Sequence, residues 1–492
     1  MVLALVLLLG IIGSAAVWLR PRGTAIESLA VLPFVNASGD PDAEYLSDGI
    51  TESLINSLSQ LPHLKVMSRN SVYRYKGRES DAQAMGRDLK VQAVLTGRVV
   101  QRGDGLFISA ELVDVRDNSH LWGDQYNRRL SEILAMQEEI AREISEKLRL
   151  RLTGEENSRL TRRYTDNTEA YQLYLKGRFF WNQRGQGLVK SVPFFEQALE
   201  KDPRYALAQA GLADAYSLLG WYGYAPAREA FPKARAAAEK ALALDDSLAE
   251  AHSSLGFIRL FYDWDAASSQ SEFRRALELG PGYAPASYWY ASWLSAVGRE
   301  EEAVAEDRRA VEADPLSVFP NMHLGWMLYF SGRNDEAIEQ LRKSLELNPS
   351  LMISHWLLGQ TYAAQSRHDE AIAELTRAVE ISENDTWMKG MLGYAYGLAG
   401  RTDDARAVLA ELKERSGHEY VRAIPFALVH LGLGDKDQAL EWLEKAYVDH
   451  DVMMVFIEHD QTFRSLWDDA RFIDLVRRVG ISSPGVPAAR RP

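Results

Sequence analysis

Small residues recur at a fixed interval of 34 positions through the C-terminal two-thirds of the 492-residue chain. The interval separates five alanines: Ala303, Ala337, Ala371, Ala405 and Ala439. It also separates three glycines and a further set of small residues: Gly325, Gly359 and Gly393, then Ala276, Ala310, Ser344 and Ala378. This period predicts a stack of helix pairs, because each pair has an apolar face that only its neighbours can bury.

The units of this period end in residues that terminate helices. Proline follows the second predicted helix at Pro203, Pro315 and Pro349, where it cannot continue the helix. The stretches "GRNDEAIEQLRKSLELNP" and "SRHDEAIAELTRAVEIS" resemble the tetratricopeptide repeat, or TPR. We predict an all-α TPR superhelix over residues 165–480, with about eight units near 170–203, 204–247, 249–283, 284–317, 318–351, 352–385, 386–419 and 420–453.

Two segments depart from the repeat. The second unit carries the insertion "WYGYAPAREAF", whose rings either grip a ligand or fold back onto the scaffold. After the eighth unit, "QTFRSLWDDARFIDLVRRVG" is predicted to form a terminal helix that covers the last apolar face. Residues 481–492 are predicted to be a disordered tail.

Residues 24–160 have the pattern of a small mixed domain. The predicted strands are "ESLAVLPFV", "LKVMSRNSVYRY" and "SHLWGDQYNR", and "VQAVLTGRVVQRGDGLFISAELVDV" is a predicted hairpin around Gly-Asp-Gly. Helical spacing appears in "DAEYLSDGITESLINSLSQL", "DAQAMGRDLK" and "SEILAMQEEIAREISEKLRLRL". The order β-α-β-α-β-β-β-α predicts an α/β sandwich, in which helices pack on one mixed sheet.

The acidic turn after the first strand allows three interpretations. Asp40, Asp42 and Glu44 alternate as in a calcium loop, but the residues between them break that motif. A phosphate loop would need more glycines and a lysine. We favour the start of a helix, in which Gly39 makes the turn and Asp40 or Asp42 caps the helix.

The motifs of this domain resemble a known bacterial family. The "LPF" strand, the "YLSDGITE" helix start, the "LTG" strand and the "HLW" strand are similar to the TolB-N-like (FlgO-like) domain over roughly residues 28–150. The resemblance implies a position between a membrane span and a TPR array, and it implies no catalytic residues. In proteins of this layout a kinase, cyclase or DNA-binding domain often precedes the span.

Residues 1–19 carry no charged side chain and predict a transmembrane anchor. A cleaved signal peptide is the alternative, but no basic region precedes the apolar run. Arg20 and Arg22 would keep the bulk of the chain cytoplasmic by the positive-inside rule. A start inside the span suggests a chain truncated at the start codon or cut from a longer parent, so the charge rule has little weight here. We predict a single-pass inner-membrane protein whose bulk is extracytoplasmic, with the orientation left open.

Several functions are disfavoured. The 21 basic and 21 acidic residues of positions 1–164 cancel, so the net charge of −13 lies in the remainder, which argues against nucleic-acid binding there. The chain has no cysteine, no zinc-protease, nucleotide-loop or kinase motif, and no nucleophile elbow, and we predict no enzyme, cofactor or metal. The closest histidine cluster, His450, Asp451, His459 and Asp460, is expected to mark polar helix ends around a buried segment.

The concave face of the array is the predicted binding surface. Positions that face it within the 34-residue frame are apolar and mostly aromatic, and they lack the Lys and Asn of a carboxylate clamp. The candidates are Tyr288, Phe319, Met322, Trp326, Tyr329, Ile353, Trp356, Gln360, Trp387 and Tyr394. Aromatic residues contribute much of the energy at interfaces, so we predict a protein or peptide partner with apolar anchors. Some of these rings could instead belong to the interhelical core.

The sequence therefore predicts an α+β protein overall, with a membrane helix, a small α/β sandwich and a TPR superhelix. Two functions follow. The first is a membrane-tethered scaffold that binds partners in the concave groove. The second is the sensor half of a transmembrane signalling protein whose kinase, cyclase or regulator domain lies outside this chain.

Overall fold

The computed structural model describes residues 26–481, except positions 62, 79–80, 149, 151 and 161 and the side chains of 155, 158 and 159. The predicted anchor at 1–19 therefore lies outside the described residues. Among the helices that are described, none is both long and apolar enough to cross a bilayer.

The first domain is a mixed sheet with helices packed against it. Its strands are β1 (Ser28–Val31), β2 (Val35–Asn36), β3 (Lys65–Val66), β4 (Ala93–Arg102), β5 (Gly105–Asp114) and β6 (Ser119–Arg129). Its helices are α1 (Glu44–Ser59), α2 (Arg69–Tyr73), α3 (Ala82–Asp88), α4 (Ile133–Lys147) and α5 (Gly154–Leu160), with 3-10 turns at Pro41–Ala43 and Leu130–Glu132. The predicted α/β class is confirmed.

The sheet has the order β3-β1-β4-β5-β6, with β2 also paired to β4. Strand β1 runs parallel to β3 and β4, whereas β4, β5 and β6 form an antiparallel meander. The β4–β5 hairpin turns at the predicted Gly-Asp-Gly, since Arg102 pairs with Gly105 and Gly103 has a positive φ of 57°.

The acidic turn begins a helix as predicted, whereas the second predicted strand is shorter than expected. Asp40 caps the 3-10 turn by accepting a hydrogen bond from the backbone N of Asp42, and Gly39 has a φ of 75°, as the helix-start interpretation predicts. The predicted strand "LKVMSRNSVYRY" is wrong beyond Val66, because Arg69–Tyr73 is helical. Ser68 has an extended conformation at the N-cap of that helix, a position that serine favours.

Eight helix pairs follow in the described residues from Thr168 to Val448. The first helices are α6 (Thr168–Gln183), α8 (Ala206–Trp221), α10 (Ala249–Phe261), α12 (Ala284–Ala296), α14 (Val318–Phe330), α16 (Met352–Ala364), α18 (Thr386–Leu398) and α20 (Ile424–Gly432). The second helices are α7 (Gln186–Lys201), α9 (Ala227–Leu244), α11 (Ala266–Leu279), α13 (Glu300–Ala313), α15 (Asn334–Leu347), α17 (His368–Ile381), α19 (Thr402–Arg415) and α21 (Lys436–Val448).

The periodic small residues lie where the helices of a pair touch. The five alanines of the 34-residue series are fully buried. A Cβ atom added at Gly359 would lie 2.5 Å from Cγ of Leu375, and one added at Gly325 would lie 2.6 Å from Cγ of Leu341. The interval therefore reflects a close approach between the first and second helix of each pair.

The chain after α21 does not form the single terminal helix that we predicted. It makes two 3-10 turns, Val452–Phe456 and Gln461–Leu466, before α22 (Ala470–Val479). Ile481, the first residue of the predicted tail, is buried, and the rest of the tail lies outside the described residues. We call residues 449–467 the C-terminal segment.

The α/β domain and the first helix pairs share one hydrophobic core, which includes Leu54 of α1 and Leu175 of α6. Glu52 accepts hydrogen bonds from Arg178 in the middle of this contact. Farther along the array, Ser68 donates a 2.8 Å hydrogen bond to Asp314. The domain thus contacts the first helix pair and the turn between the fourth and fifth pairs.

Candidate functional site

Seven of the ten predicted groove residues line one cavity of about 840 Å³: Tyr288, Phe319, Met322, Trp326, Ile353, Trp356 and Trp387. They come from α12, α14, α16 and α18, the first helices of four consecutive pairs. The repeat brings them together, because equivalent positions of stacked helices point to the same concave side. Trp326 and Trp356 are mostly buried, at 5% and 7% exposure, so they also belong to the core.

The aromatic walls of the cavity pack tightly on one another. The ring of Trp326 lies 6.2 Å from that of Trp356 and 6.2 Å from that of Trp221. Trp356 in turn makes an edge contact with Trp387 at 5.5 Å. Such contacts fix the ring positions before any ligand arrives.

The insertion in the second unit packs onto the scaffold and also lines the cavity, and its grip on a ligand stays a prediction. Trp221 packs its ring onto the scaffold, 4.8 Å from Phe261. Residues Trp221, Tyr222 and Tyr224 also line the cavity, and Tyr224 is 41% exposed. The insertion therefore closes one side of the cavity with rings that are anchored at its base.

Sequence reasoning missed the wall that the first and last units provide. Trp181 of α6 and Arg184 and Gly185 of the α6–α7 turn line the cavity, and so do Arg415 at the end of α19 and Arg422 before α20. The 34-residue frame could not place them, since it relates neighbours along the array and not its two ends.

The array curls so that its second and eighth units touch. Arg422 donates a 2.8 Å hydrogen bond from Nε to Asp451, and both side chains are buried. The same guanidinium donates to the backbone oxygen of Trp221 at 3.2 Å. His450 bonds the backbone oxygen of Tyr262 through Nδ1. The contact between Arg422 and Trp221 joins opposite sides of the cavity, because both residues line it.

The remaining three predicted groove residues contact the C-terminal segment. Tyr329 donates a 2.6 Å hydrogen bond to Asp460, and Gln360 donates to both oxygens of that carboxylate. Tyr394 donates a long hydrogen bond of 3.4 Å to the backbone oxygen of Thr462. This part of the concave face is therefore occupied by the chain itself.

An apolar anchor accompanies the buried carboxylate of that segment. Phe456 is fully buried, and its ring lies 4.9 Å from Phe330, 5.3 Å from Trp326 and 5.8 Å from Phe261. The segment shows which chemistry this concave face accommodates: an aromatic side chain beside an acidic one.

The four residues of the histidine cluster have separate surroundings. Asp451 pairs with Arg422, Asp460 accepts from Tyr329, and the ring of His450 stacks on Trp264 at 4.6 Å. His459 lies 3.0 Å from Glu300. Within the described part of the chain, no group of three His, Asp or Glu side chains is arranged to hold a metal ion.

One side-chain constellation was not foreseen. Ser292 Oγ lies 2.9 Å from Nε2 of His323, whose Nδ1 lies 2.6 Å from Asp307. The order of atoms is that of a serine hydrolase triad. Ser292 has no exposed surface, however, so a substrate carbonyl cannot reach it in this conformation. We interpret the three residues as a buried link between α12, α13 and α14.

Different protein families match the α/β domain and the helical array. Residues 25–147 match the family described as HilA/YgeH-like transcriptional regulator, second domain. Residues 324–386, 362–424 and 427–445 match tetratricopeptide repeat families. The TPR prediction is confirmed, and the TolB-N-like resemblance stays a prediction.

One curated relative is the putative adenylate cyclase 3 of Rhizobium meliloti (strain 1021), with 38% identity over 194 residues. The match covers 39% of this chain and 33% of that protein, so the chain corresponds to only about a third of the relative's length.

Solved structures with some likeness include the human IFIT1 dimer with m7Gppp-AAAA, at 15% identity and a TM-score of 0.45, covering 63% of this chain and 76% of that one. YrrB, a TPR protein with an unusual peptide-binding site, has 24% identity and a TM-score of 0.26, covering 38% of this chain and 91% of that one. The chain thus combines a small α/β domain similar to the second domain of HilA/YgeH-like regulators with a TPR array, a protein-binding type of scaffold.

Proposed function

We propose that this protein is a membrane-tethered scaffold whose TPR array binds a partner peptide with apolar anchors in the aromatic cavity. The observation that carries the proposal is the convergence of seven predicted groove residues on one cavity of about 840 Å³. The neighbouring C-terminal segment supports it, because a stretch of chain with a buried phenylalanine already lies on the same concave face. Aromatic anchors in such pockets dominate the energy of many interfaces.

The test is a peptide-display selection against the protein, followed by affinity measurements on two variants. Ile353→Asp places a carboxylate in the apolar part of the cavity wall, and it should weaken binding of the selected peptides at least about tenfold, since the apolar anchor of a bound peptide would desolvate that charge. Ile473→Asp is the matched control, because Ile473 is 38% exposed on α22 and does not line the cavity. Equal affinities of the two folded variants would contradict the proposal.

The membrane tether is the part of this function that depends on residues 1–19. Their uninterrupted apolar sequence supports an anchor of about 20 residues. We place the bulk of the chain outside the cytoplasm. A C-terminal alkaline phosphatase fusion would be active only with that orientation, and a fluorescent fusion that folds only in the cytoplasm would report the opposite one.

A second candidate function is the sensor half of a signalling protein. Two observations favour it: the match of residues 25–147 to a regulator domain and the partial match to a putative adenylate cyclase. In this case the effector would precede the span, in frame, in the same gene. DNA sequence upstream of codon 1 distinguishes the two functions, since an open frame for a cyclase, kinase or DNA-binding domain supports the second and a nearby stop codon supports the first.

A further inference from the structure

The turn between α6 and α7 holds an arginine in an unusual backbone conformation at the wall of the cavity. Arg184 has φ 59° and ψ −167°, and Gly185 follows with φ 51°. Only glycine adopts such angles without strain. The turn is held by hydrogen bonds from the backbone N of Arg184 to Trp181 and from Gly187 to the backbone oxygen of Arg184. Backbone strain of this kind concentrates at functional sites.

The side chain of Arg184 has no acidic partner among the described residues. Its guanidinium lies over the ring of Trp181, 3.8 Å from the centroid. Nη1 is buried, and no hydrogen-bond acceptor for it is found in the described part of the chain. A buried donor without an acceptor is costly, and native proteins seldom retain one without a role.

Apart from Glu383, which is exposed, the other charged side chains of the cavity wall have partners of their own. Arg422 pairs with Asp451, and Arg415 pairs with Glu419. Among the acids, Asp385 caps α18 by accepting from two backbone N–H groups.

Asp214, an acid whose carboxylate the charge of Arg184 favours, also has other partners. Asp214 accepts from Ser254, and its carboxylate lies 3.8 Å from Arg178. Of the three arginines that line the cavity, Arg184 is therefore the one that forms no ion pair with a carboxylate of the described residues.

Apolar rings surround this cation. Burial raises the pKa of Tyr288, and the charge of Arg184 opposes that rise. Trp289, Trp326 and Phe319 continue the wall. A volume of about 840 Å³ lies within the range of about 300–1,000 Å³ typical of sites for small organic ligands.

We propose that the cavity binds an anionic ligand with an aromatic or similar apolar body, and that Arg184 holds its acidic group. The inference rests on the proposed function, because it concerns the same cavity, and it adds the charge of the ligand. A free aromatic acid and an acidic side chain beside an aromatic residue in a peptide both provide this chemistry.

A matched pair of fluorescent probes tests the proposal on the intact protein. 8-Anilinonaphthalene-1-sulfonate carries an anion, and N-phenyl-1-naphthylamine has the same rings without it. Energy transfer from the cavity tryptophans reports binding of each probe. The anionic probe should bind Arg184→Gln roughly tenfold or more weakly than wild type, whereas the neutral probe should bind both proteins alike.

Arg401→Gln is the control variant, because Arg401 lies over the ring of Tyr396 and pairs with Asp404 but does not line the cavity. It should leave the binding of both probes unchanged. Equal loss of anionic-probe binding in Arg184→Gln and Arg401→Gln would overturn the assignment of Arg184. Failure of both probes to bind wild type would instead contradict the cavity as a binding site, and with it the proposed function.

Displacement experiments separate the two sources of the ligand. Naphthalene-1-acetate represents a free acid, and acetyl-Trp-Glu-amide represents a peptide. Displacement of the anionic probe by either compound, abolished in Arg184→Gln, supports the proposal and identifies the source. Displacement by neither compound, or by the amide of naphthalene-1-acetate equally well, would overturn it.

Discussion

At the scale of single residues, Asp460 connects the C-terminal segment to the array. Its carboxylate accepts hydrogen bonds from the side chains of Tyr329 and Gln360 and from the backbone N of Thr462. Burial raises the pKa of Asp460, and these hydrogen bonds only partly oppose the rise. The folded protein therefore favours the protonated acid more than the unfolded chain does.

This raised pKa predicts a specific pH dependence. The stabilisation that Asp460 provides is complete below the unfolded-state pKa of about 4 and is lost as the pH rises through the folded-state value. Asp460→Asn does not titrate, so the free energy of unfolding of wild type should fall relative to this variant as the pH rises above about 4. Urea unfolding at several pH values measures the difference.

The control for this titration is Asp468→Asn, since Asp468 is exposed in the same part of the chain. Its free energy of unfolding should remain parallel to that of wild type at every pH. A constant difference between wild type and Asp460→Asn over the whole pH range would contradict the expectation.

The repeat glycines give a second prediction at this scale. Gly359→Ala should destabilise the protein by about 1 to 3 kcal/mol, although alanine is the better helix former, because overpacking outweighs propensity. The added methyl group would lie 2.5 Å from Leu375 and 3.1 Å from the backbone oxygen of Ala371. Urea titration gives the change in midpoint.

Gly154→Ala is the corresponding control. Gly154 is the first residue of α5, and no heavy atom lies within 4 Å of its would-be Cβ. This substitution should be neutral or slightly stabilising. A loss at Gly154 equal to that at Gly359 would mean that packing within the helix pair is not the cause.

At the scale of elements, the C-terminal segment is a part of the array that has no equivalent in the repeat. Its first 3-10 turn, Val452–Phe456, is buried throughout, and its second, Gln461–Leu466, reaches α14 through Gln461. Short 3-10 turns suit this position, because their side chains point in several directions towards the surrounding helices. The segment covers apolar surface on the concave side as well as at the end of the stack.

Phe456→Ala tests how much this segment contributes. Removing the ring should cost about 3 to 5 kcal/mol of unfolding free energy, because it leaves a cavity between three aromatic neighbours. Phe456→Leu should cost about 1 to 2 kcal/mol, since most of the buried volume remains.

The matched control is Phe107→Ala on β5, where the side chain is 39% exposed. A change within about 0.5 kcal/mol is expected there. Equal effects at Phe107 and Phe456 would contradict the proposed role of the segment in closing the array.

At the scale of the whole molecule, a buried ion pair joins the α/β domain to the array. Arg178 of α6 donates to Glu52 of α1 at 2.6 and 2.9 Å, and Asn182 donates to the other carboxylate oxygen. Burial alone would raise the pKa of Glu52, but the charges of Arg178 and Arg69 lower it overall. The shared hydrophobic core around this pair predicts that the two parts unfold together.

Arg178→Ala should destabilise the protein by about 3 to 5 kcal/mol, because it leaves the Glu52 carboxylate buried with less compensation. In hydrogen exchange, the amides of α1 and α6 should lose protection together. The double variant Arg178→Met with Glu52→Gln should recover part of the loss, since neither side chain is then charged. An unchanged exchange pattern in Arg178→Ala would show that the pair does not couple the domain to the array.

Local patterns in the sequence predicted much of this molecule. The 34-residue interval predicted the helix pairs and the side on which Phe319, Ile353 and Trp387 lie, since both depend on contacts between neighbouring units. Turn chemistry predicted the Asp40 cap and the β4–β5 hairpin. The helix Arg69–Tyr73 was missed, because its apolar residues suit a strand equally well and its N-cap serine is a weak signal.

The sequence by itself thus determined the repeat, the α/β class of the first domain and the aromatic character of the concave face. Only the tertiary structure decided that the array curls until Arg422 meets Trp221, that Asp460 occupies the groove beside Tyr329, and that Arg184 faces the cavity without an acid. The physical reason is distance along the chain: a small rotation between successive pairs accumulates over eight units, and no local pattern encodes where that sum brings the two ends.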